Sequence, residues 1–376
     1  MSAPRIGFLL GQPTQFDAPF FRYAQAAGRA ALSVLYVAAD TPSSVHDPEL
    51  GRRVDWGMDL LAGYEHKVLP RKKRLAWLRH ELRRDRYDCL VINGYTTYPY
   101  LAALAVAHAR GIRTALRIDS VLFNAVGWRR RARKRAVMTV LSGAFDRFFA
   151  TGSLAREYLV HFGIAPGRSS LFPYGVDADS FASRSRALRP DRAALRRRFG
   201  VPADAKVLLV VAKMTTREAP WDLLDALAGL DRPDLWTVLV RDGAQRASLQ
   251  AQAEARGLAR VVFAGYMPYA ELVDCYAMAN VFVHAAADEP WGVSVHEAIA
   301  CGLPVVASSH VGAAADLVLP GRNGHVYPWG DGAALRERLV ATIDAPDPGE
   351  LERANSEVLA RWSYAATWDG IVEACA

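Results

Sequence analysis

The sequence predicts an α/β protein built on parallel sheets, and three observations support this prediction. Short runs of branched apolar residues alternate with segments of helical pattern in both halves of the chain, as at residues 5–10 and 206–212. The chain has 376 residues, which is enough for two domains with substantial cores. Apolar residues make up 51% of the sequence, which argues against disorder. We therefore expect two α/β domains in series.

The sequence carries no pattern of a membrane span or a metal site. No apolar run reaches the roughly 18 residues that a bilayer requires. Residues 1–12 fit a first strand better than a signal peptide, because a long apolar region and a small-residue cleavage site are missing. The four cysteines form no C-x-x-C pair, and the histidines show no zinc-ligand spacing. We expect a cytoplasmic enzyme with buried thiols.

Positive charge is concentrated in the first half of the chain. Residues 1–176 hold 22 Arg and 4 Lys against 13 Asp and Glu, whereas the net charge of the whole chain is +7. The stretches 71–86 and 128–138 are especially basic. This distribution suits an anionic partner, either a phosphorylated acceptor or a membrane contacted peripherally at its inner face. The alternative is that the arginines only cover solvated faces, and no nucleic-acid-binding motif accompanies them.

The strongest functional pattern lies in residues 281–308. A buried strand is followed by a loop, a short apolar helix, a Gly-Leu-Pro turn and a second strand. Open α/β sheets bind ligands at such strand ends, and the free amides of a helix start favour phosphate. Glu289 and Glu297 flank this helix start, and carboxylates accept hydrogen bonds from the vicinal hydroxyls of a sugar or a ribose. The alternative is that both glutamates are ordinary solvated residues.

Two motifs resemble a known family. The E-x7-E pattern of Glu289 and Glu297, with G-x-P-V-V-A at residues 302–307, is similar to the retaining glycosyltransferase family 4, also called glycosyl transferases group 1. A second match is P-x-G-V-D at residues 173–177. The resemblance implies the GT-B fold, with two Rossmann-like, doubly wound domains facing across a cleft. It implies an acceptor-binding domain at residues 1–177, a nucleotide-sugar-binding domain at 178–361, and a C-terminal helix at 362–376 that crosses back to the first domain.

The resemblance also implies a donor site. Glu289 is expected to hold the hydroxyls of the donor sugar, and Glu297 the ribose. Lys213 stands where the family has a basic residue, so Lys213 and Glu289 are expected to be catalytic. The family's lysine five positions later is replaced by Glu218, and the neighbouring Arg217 is the expected substitute. The remaining residues expected at the donor are Gly11, Arg241, Tyr266, Met267, Trp291, Gly292, Val293 and Ser294.

Some of these residues have specific expected roles. Arg241 replaces the first glycine of the family's G-x-G and is expected to contact phosphate. Tyr266 and Met267 are expected to contact the base, with simple loop packing as the alternative. Gly11 follows the first strand and lets substrate approach the backbone.

The acceptor is expected at the strand ends of the first domain. Asn93 and Tyr95 follow the strand at residues 87–92, and Arg117 and Asp119 close the strand at residues 114–118. The family often has His-Asp near the latter position. Here the sequence is Arg117-Ile118-Asp119, without the histidine, and Asp119 is the expected catalytic residue of this domain.

The function implied is sugar transfer from a nucleoside diphosphate sugar to an acceptor hydroxyl, with retention of configuration. No residue stands out as a covalent nucleophile, so the resemblance favours a front-face mechanism that needs no metal and no cofactor. The protein positions the substrates and stabilises phosphate charge. Two alternatives remain open: a nucleotide-sugar epimerase or hydrolase of the same architecture, and a non-catalytic nucleotide-sugar binder, for which Glu218 is the motive.

Overall fold

A computed structural model describes residues 3–39, 43–47, 52–124, 127–218, 220–344 and 347–376. The chain divides into two compact units. The N-terminal unit comprises Met1–Val45, Arg53–Val176 and Trp362–Ala376, and the C-terminal unit comprises His46–Arg52 and Asp177–Arg361. The sequence-based domain limits at residues 177 and 361 lie next to these boundaries.

The N-terminal unit is organised around a parallel sheet. Its strand order is β5-β2-β1-β6-β7-β8-β9, and β3 pairs with β4 in a separate small sheet. The strands are β1 (Arg5–Leu10), β2 (Ala31–Tyr36), β3 (Ser44–Asp47), β4 (Arg52–Asp55), β5 (His66–Val68), β6 (Cys89–Ile92), β7 (Arg113–Ile118), β8 (Arg147–Ala150) and β9 (Ser169–Leu171). The helices are α1 (Asp17–Ala27), α2 (Arg74–Glu81), α3 (Tyr98–Ala109), α4 (Trp128–Ala144) and α5 (Ser153–His161). The chain order reverses between β1 and β6, so these two strand ends form a topological switch point.

The C-terminal unit repeats this plan. Its sheet has the order β12-β11-β10-β13-β14-β15, with neighbouring strands parallel. The strands are β10 (Lys206–Val211), β11 (Leu235–Val240), β12 (Val261–Gly265), β13 (Val281–His284), β14 (Val305–Ser308) and β15 (Gly324–Tyr327). The helices are α6 (Ala178–Leu188), α7 (Arg192–Arg197), α8 (Trp221–Ala228), α9 (Arg246–Ala255), α10 (Leu272–Met278), α11 (Val293–Ala300), α12 (Ala314–Leu317), α13 (Gly332–Ile343) and α14 (Pro348–Arg361). The switch point here lies between β10 and β13.

Both sheets form because their strands are apolar on both faces. The strand β1 is buried from Ile6 onward, and β13 and β14 are buried throughout. Strands covered on both faces by helices are typical of parallel sheets. Consistent with the sequence prediction, the structure is α/β with two Rossmann-like units.

The last helix, α15 (Tyr364–Cys375), belongs to the N-terminal unit. Ser363 caps its start by accepting a hydrogen bond from the Ala366 amide at 3.2 Å. Trp368 is fully buried, and its ring centroid lies 6.1 Å from that of Phe20. A Cβ atom at Gly175 would lie 2.5 Å from Tyr364 Cε1, so glycine is required there to admit this helix.

Candidate active site

The loop between β13 and α11 is held rigidly by its neighbour after β14. The Glu289 amide donates to the His310 carbonyl at 3.0 Å, and the Gly312 amide donates to the Glu289 carbonyl at 2.8 Å. A Cβ atom at Gly312 would lie 1.9 Å from the Pro290 carbonyl oxygen, so the two loops touch at backbone level. This contact fixes the position from which the Glu289 side chain projects.

We expect Gly312→Ala to destabilise the fold and displace Glu289. The added methyl group overlaps the Pro290 backbone, which has no flexible side chain to move aside. The unfolding free energy, measured in urea, should fall by about 1–3 kcal/mol. Gly143→Ala is the matched control, because Gly143 lies within α4 and its Cβ would meet nothing within 4 Å. Equal stability of the two variants would contradict the proposed loop contact.

The two glutamates lie on either side of the α11 N-terminus. Glu289 Oε1 accepts a hydrogen bond from the Trp291 amide at 3.2 Å. Burial, with the charge of Glu218 as the second cause, raises the pKa of Glu289 to about 8. Glu297 is 3% exposed, and its Oε2 accepts a hydrogen bond from the Tyr276 hydroxyl at 2.6 Å. Burial also raises the pKa of Glu297, so neither residue is an ordinary solvated glutamate.

Four further residues predicted at the donor form the start of α11. Gly292 has φ = 102°, a conformation that favours glycine, and its Cβ would meet Val311 Cγ1 at 2.9 Å. Val293 and Ser294 are half-buried in the first turn of the helix. The Trp291 side chain is 2% exposed, so it supports the loop from within the fold. The amides of this turn point along the helix axis toward its N-terminus, where an anion is favoured.

Two buried histidines lie close to the glutamates in the chain. Burial lowers the pKa of His284 and of His296 to about 4. Within the described residues, His284 Nδ1 and both ring nitrogens of His296 have no hydrogen-bond partner. Both imidazoles are therefore neutral near pH 7, because their buried surroundings disfavour the charged form.

These histidines predict acid-sensitive stability. An unfolded histidine titrates near pH 6.5, so below that pH the unfolded chain binds protons that the folded chain does not. Stability should fall as the pH is lowered from about 6.5 to about 4, by about 3 kcal/mol for each histidine. Glu289 changes the stability in the opposite direction. Because its pKa is raised in the folded protein, its contribution lowers the stability as the pH rises from about 4.5 to about 8.

The measurement is urea unfolding of wild type and His296→Leu between pH 5 and pH 7.5. The variant should lose part of the acid-induced destabilisation and gain stability at pH 7.5, because its unpaired ring nitrogens are gone. His80→Leu, at an exposed position, is the control. An unchanged pH slope in His296→Leu would show that this imidazole does not titrate as described.

The loop after β10 lies against the loop after β13. The Arg217 carbonyl accepts hydrogen bonds from the amides of Ala287 and Asp288, at 2.8 and 3.0 Å. Glu218 turns back toward the strand, and its Oε2 accepts a hydrogen bond from the Lys213 amide at 3.1 Å. The Arg217 side chain donates from Nε to the Asp288 carbonyl at 3.3 Å. Lys213 and Glu289 therefore follow β10 and β13, the two strands of the switch point.

Arg241 and the residues after β12 occupy the next strand ends. Arg241 has φ = 96°, and strain of this kind in a non-glycine residue costs on the order of 1–3 kcal/mol. Its amide donates to the Gly265 carbonyl at 2.8 Å. Tyr266 is half-buried, whereas Met267 is 8% exposed and its Sδ lies 3.3 Å from Cys275 Sγ. The alternative of loop packing therefore applies to Met267.

Most of the residues predicted in the N-terminal unit meet at the carboxyl ends of its strands. Gly11 follows β1 and Asn93 follows β6, on either side of the switch point. Asp119 is exposed after β7, and its Oδ2 accepts a hydrogen bond from the Tyr174 hydroxyl at 3.3 Å. Burial, with the charge of Asp119 as the second cause, raises the pKa of Tyr95, so these two side chains are near each other.

Arg117 does not fit the acceptor role that the sequence suggested. It is 3% exposed, and its Nη1 donates to Asp17 Oδ1 at 2.8 Å. Its Nε and Nη2 donate to the carbonyls of Phe172 and Pro173, at 3.3 and 3.1 Å. A guanidinium buried among these acceptors is a structural group. Sequence reasoning missed Asp17, whose partner lies 100 residues away.

No metal site or membrane span appears in the described part of the chain. No cluster of three or more His, Cys, Asp or Glu side chains suitable for a metal ion occurs among the described residues. Asp177-Ala178-Asp179 has an Asp-x-Asp spacing, but Asp177 caps α6 by accepting from the Ser180 amide at 3.1 Å. No helix within the described ranges is long and apolar enough to cross a bilayer.

Two parallel sheets, each with one reversal of strand order, and the architecture shared with solved GT-B structures give the chain the GT-B fold. Family models assign the chain more closely. The model for glycosyl transferases group 1 matches residues 191–357, and the model for glycosyltransferase family 4 matches residues 22–180. The chain belongs to glycosyltransferase family 4.

Relatives and solved structures agree with this assignment. The chain is 34% identical over 239 residues to D-inositol 3-phosphate glycosyltransferase 2 of Catenulispora acidiphila, covering 60% of this chain and 54% of the relative. It is 34% identical over 187 residues to a GDP-mannose-dependent alpha-mannosyltransferase of Mycobacterium tuberculosis, covering 50% of this chain and 45% of that protein. It thus spans about half the length of the curated relatives it matches.

The fold is shared with HepE of Anabaena. The structure of HepE in complex with UDP has a TM-score of 0.76 and 19% identity, and the alignment covers 98% of both chains. The structure of the same protein with UDP-glucose has a TM-score of 0.72, with 20% identity and 98% coverage of both chains.

Proposed function

We propose that the chain transfers a sugar from a nucleoside diphosphate sugar to an acceptor hydroxyl with retention of configuration. The observation that carries the proposal is the pair Glu289 and Glu297 around the α11 N-terminus, beside the switch point of the C-terminal sheet. The helix start favours an anion such as a diphosphate, and a carboxylate lies on either side of it. This arrangement suits a ligand that has hydroxyl groups on both sides of a diphosphate. The UDP-glucose bound by the similar HepE supports this choice.

Each residue has a proposed task in the donor site. Glu297 holds the ribose hydroxyls, and Glu289 holds hydroxyls of the donor sugar. Lys213 and Arg241 bind the diphosphate with the first amides of α11, and these charges stabilise the leaving phosphate. Tyr266 lies beside the base. Neither a cofactor nor a metal is part of the proposal.

The chemical step is a displacement on one face of the sugar. The bond from the anomeric carbon to the phosphate oxygen breaks as a bond to the acceptor oxygen forms on the same face. The acceptor proton passes to the departing phosphate oxygen, so no enzyme nucleophile takes part. The protein contributes orientation and charge stabilisation. Asp119, Asn93 and Tyr95 are proposed to contact the acceptor.

We also propose that the protein is cytoplasmic and contacts the inner face of the membrane. The helix α4 is largely exposed, with Trp128 75% and Val140 71% exposed, and it carries a run of basic residues. Such a helix suits anionic headgroups. Sedimentation with phosphatidylcholine vesicles, with and without phosphatidylserine, tests this contact. Binding should require the anionic lipid and be lost in Arg129→Glu/Arg133→Glu; equal binding of this variant would remove the membrane contact from the proposal.

The decisive experiment screens UDP-, GDP-, ADP- and dTDP-sugars by thermal shift and then assays transfer from the donor that binds. A stabilising donor, a glycosylated product and an α- or β-configuration equal to that of the donor are expected. Turnover of the donor without an acceptor would instead indicate an epimerase or hydrolase. Absence of binding to every nucleotide tested would sink the proposal.

A non-catalytic nucleotide-sugar binder is the second candidate. Glu218 favours it, because its carboxylate lies at the Lys213 amide and adds negative charge where a phosphate would approach. Such a protein binds a donor in the thermal-shift screen and forms no product with any acceptor in a broad panel.

A further inference from the structure

The backbone around Arg241 is irregular in a way that re-aims its side chain. The register between β11 and β12 shifts at Leu239 and Val240, immediately before Arg241. Arg241 then adopts φ = 96°, a conformation that glycine adopts without strain and arginine does not. The only other non-glycine residue with positive φ in the described ranges is Lys73, at 57°. Bulges and strain of this kind concentrate at ligand sites, where a side chain must point in one direction.

The charge of Arg241 reaches the buried Glu297. Burial raises the pKa of Glu297 and of Tyr276, and the charge of Arg241 opposes this rise in both. The Tyr276 hydroxyl donates to Glu297 at 2.6 Å. The Arg241 amide is fixed to Gly265, so the side chain starts from a defined point at the end of β11. Arg241 thus lies at the carboxyl edge of the sheet, from which α11 with Glu297 also begins.

The loop after β10 holds Lys213 and Arg217, but it also carries the Glu218 carboxylate. Glu218 accepts a hydrogen bond from the Lys213 amide at 3.1 Å, so its carboxylate lies at the carboxyl end of β10. Its charge also contributes to the raised pKa of Glu289. A diphosphate near the α11 N-terminus therefore meets a carboxylate on the β10 side and a guanidinium on the β11 side.

We propose that Arg241 is the principal diphosphate-binding cation of this chain, and that Glu218 makes donor binding depend on it. This inference rests on the proposed function, because it concerns the same donor site. Most of the positive charge at the phosphates comes from the loop after β11, because Glu218 offsets the charge of Lys213 on the loop after β10. The backbone strain at residue 241 is tolerated because it directs the guanidinium to the phosphates. Arg241 is thus a binding residue. Its replacement should relieve the backbone strain at this position and weaken the binding of the ligand.

The first test compares Arg241→Gly with Arg241→Lys. Glycine removes the strain and the charge, so Tm should rise by about 2–6 °C. Binding of UDP or GDP, measured by calorimetry, should weaken roughly 10- to 100-fold, whereas binding of the corresponding nucleoside should change little. Arg241→Lys keeps a cation and should stay much closer to wild type. Unchanged diphosphate affinity in Arg241→Gly, or equal losses in both variants, would overturn the inference.

The second test restores the charge on the other loop. Glu218→Lys in the Arg241→Gly background should recover at least part of the lost diphosphate affinity, because it replaces the carboxylate beside Lys213 with a cation. Arg256→Gly, at an exposed residue that follows α9 and pairs with Asp225, is the control and should leave affinity unchanged. No recovery in the double variant would overturn the role of Glu218.

These outcomes separate the inference from the function on which it rests. If wild type binds no nucleoside diphosphate or sugar nucleotide, the proposed function fails. If wild type binds and Arg241→Gly binds equally well, only the inference about Arg241 fails.

An independent observation concerns two buried thiols in the N-terminal unit. Cys89 at the start of β6 and Cys375 at the end of α15 have their sulfur atoms 2.8 Å apart. Both residues are at most 2% exposed, and neither is in a disulfide. Arg113 Nη2 donates to the Cys375 carbonyl, so the end of α15 is held beside the strand. The fold thus brings together two thiols that are 286 residues apart in the chain.

The geometry points to a site of reversible oxidation, in which a disulfide clips α15 to the sheet. Hydrogen peroxide supplies the oxidant: one sulfur attacks a peroxide oxygen, forming a sulfenic acid and one water. The second sulfur then attacks the first, and a second water leaves. The hydrogen bond with Cys89, followed by burial, raises the pKa of Cys375, so little thiolate forms and the reaction is slow.

Peroxide treatment followed by mass spectrometry of unreduced peptides tests this site. A Cys89–Cys375 cross-link should form in wild type, be absent from Cys89→Ser and Cys375→Ser, and be removed by dithiothreitol. Tm of the oxidised protein should rise by at least about 3 °C, because a long loop is closed in the unfolded chain. Free thiols at both positions after treatment, or a link from either to another cysteine, would overturn the proposal.

Discussion

Replacing Glu297 with alanine is expected to weaken nucleoside diphosphate binding by at least about 100-fold. The carboxylate is proposed to accept two hydrogen bonds from the ribose, and each hydrogen bond to a charged group contributes about 1.5–3 kcal/mol. The side chain is buried on α11 and oriented by the Tyr276 hydroxyl at 2.6 Å, so another side chain does not readily take its place. Calorimetric titration with UDP and GDP measures the effect.

Two further variants define the cause of that loss. Tyr276→Phe removes the orienting hydroxyl and keeps the carboxylate, so its loss of affinity should be much smaller. Glu254→Ala removes an exposed glutamate of α9 and should leave binding unchanged. Full affinity in Glu297→Ala would show that the ribose is held elsewhere.

Replacing Arg117 with methionine is expected to lower the unfolding free energy by about 3–5 kcal/mol. The substitution leaves the Asp17 carboxylate, 3% exposed, without its partner at 2.8 Å. It also removes the donors that bind the carbonyls of Phe172 and Pro173. The substitution also removes the contact between the Arg117 guanidinium and the Phe172 ring, whose centroid lies 3.7 Å away. Urea unfolding of the N-terminal unit reports the change.

The origin of this cost is an unpaired buried charge, and a double variant demonstrates it. Arg117→Met/Asp17→Leu removes both partners and should recover much of the loss. Arg83→Met breaks an exposed pair with Asp85 and should have little effect. A loss in Arg117→Met no larger than that in Arg83→Met would mean that the buried pair is not a structural element.

Local patterns were sufficient to predict the architecture. The buried strands β10, β13 and β14 follow from runs of Val, Leu and Phe, because parallel strands covered on both faces need apolar residues throughout. The prediction that Lys213 and Glu289 each follow a strand also agrees with the structure, since the strand–loop–helix pattern is local; that these strands, β10 and β13, are neighbours was not predicted. These inferences depend on residues close together in the chain.

Long-range contacts determined what the same patterns left open. Arg117 was predicted to face the acceptor because it ends a strand, but its partner Asp17 lies at the start of α1, so the sequence near Arg117 carries no sign of the pair. Met267 was an expected base contact, yet it packs inward on Cys275 of α10. In both cases the direction of one side chain depends on an element that the local pattern does not include.

The sequence by itself determined that this chain has two α/β units and an acidic pair around a helix start, because periodicity and the E-x7-E motif are local properties. Only the tertiary structure decided which charges meet. It put the Glu218 carboxylate at the Lys213 amide and gave Arg241 a strained backbone next to Gly265. Such pairings depend on the register of strands and the packing of loops, and these are set by contacts between residues distant in the chain.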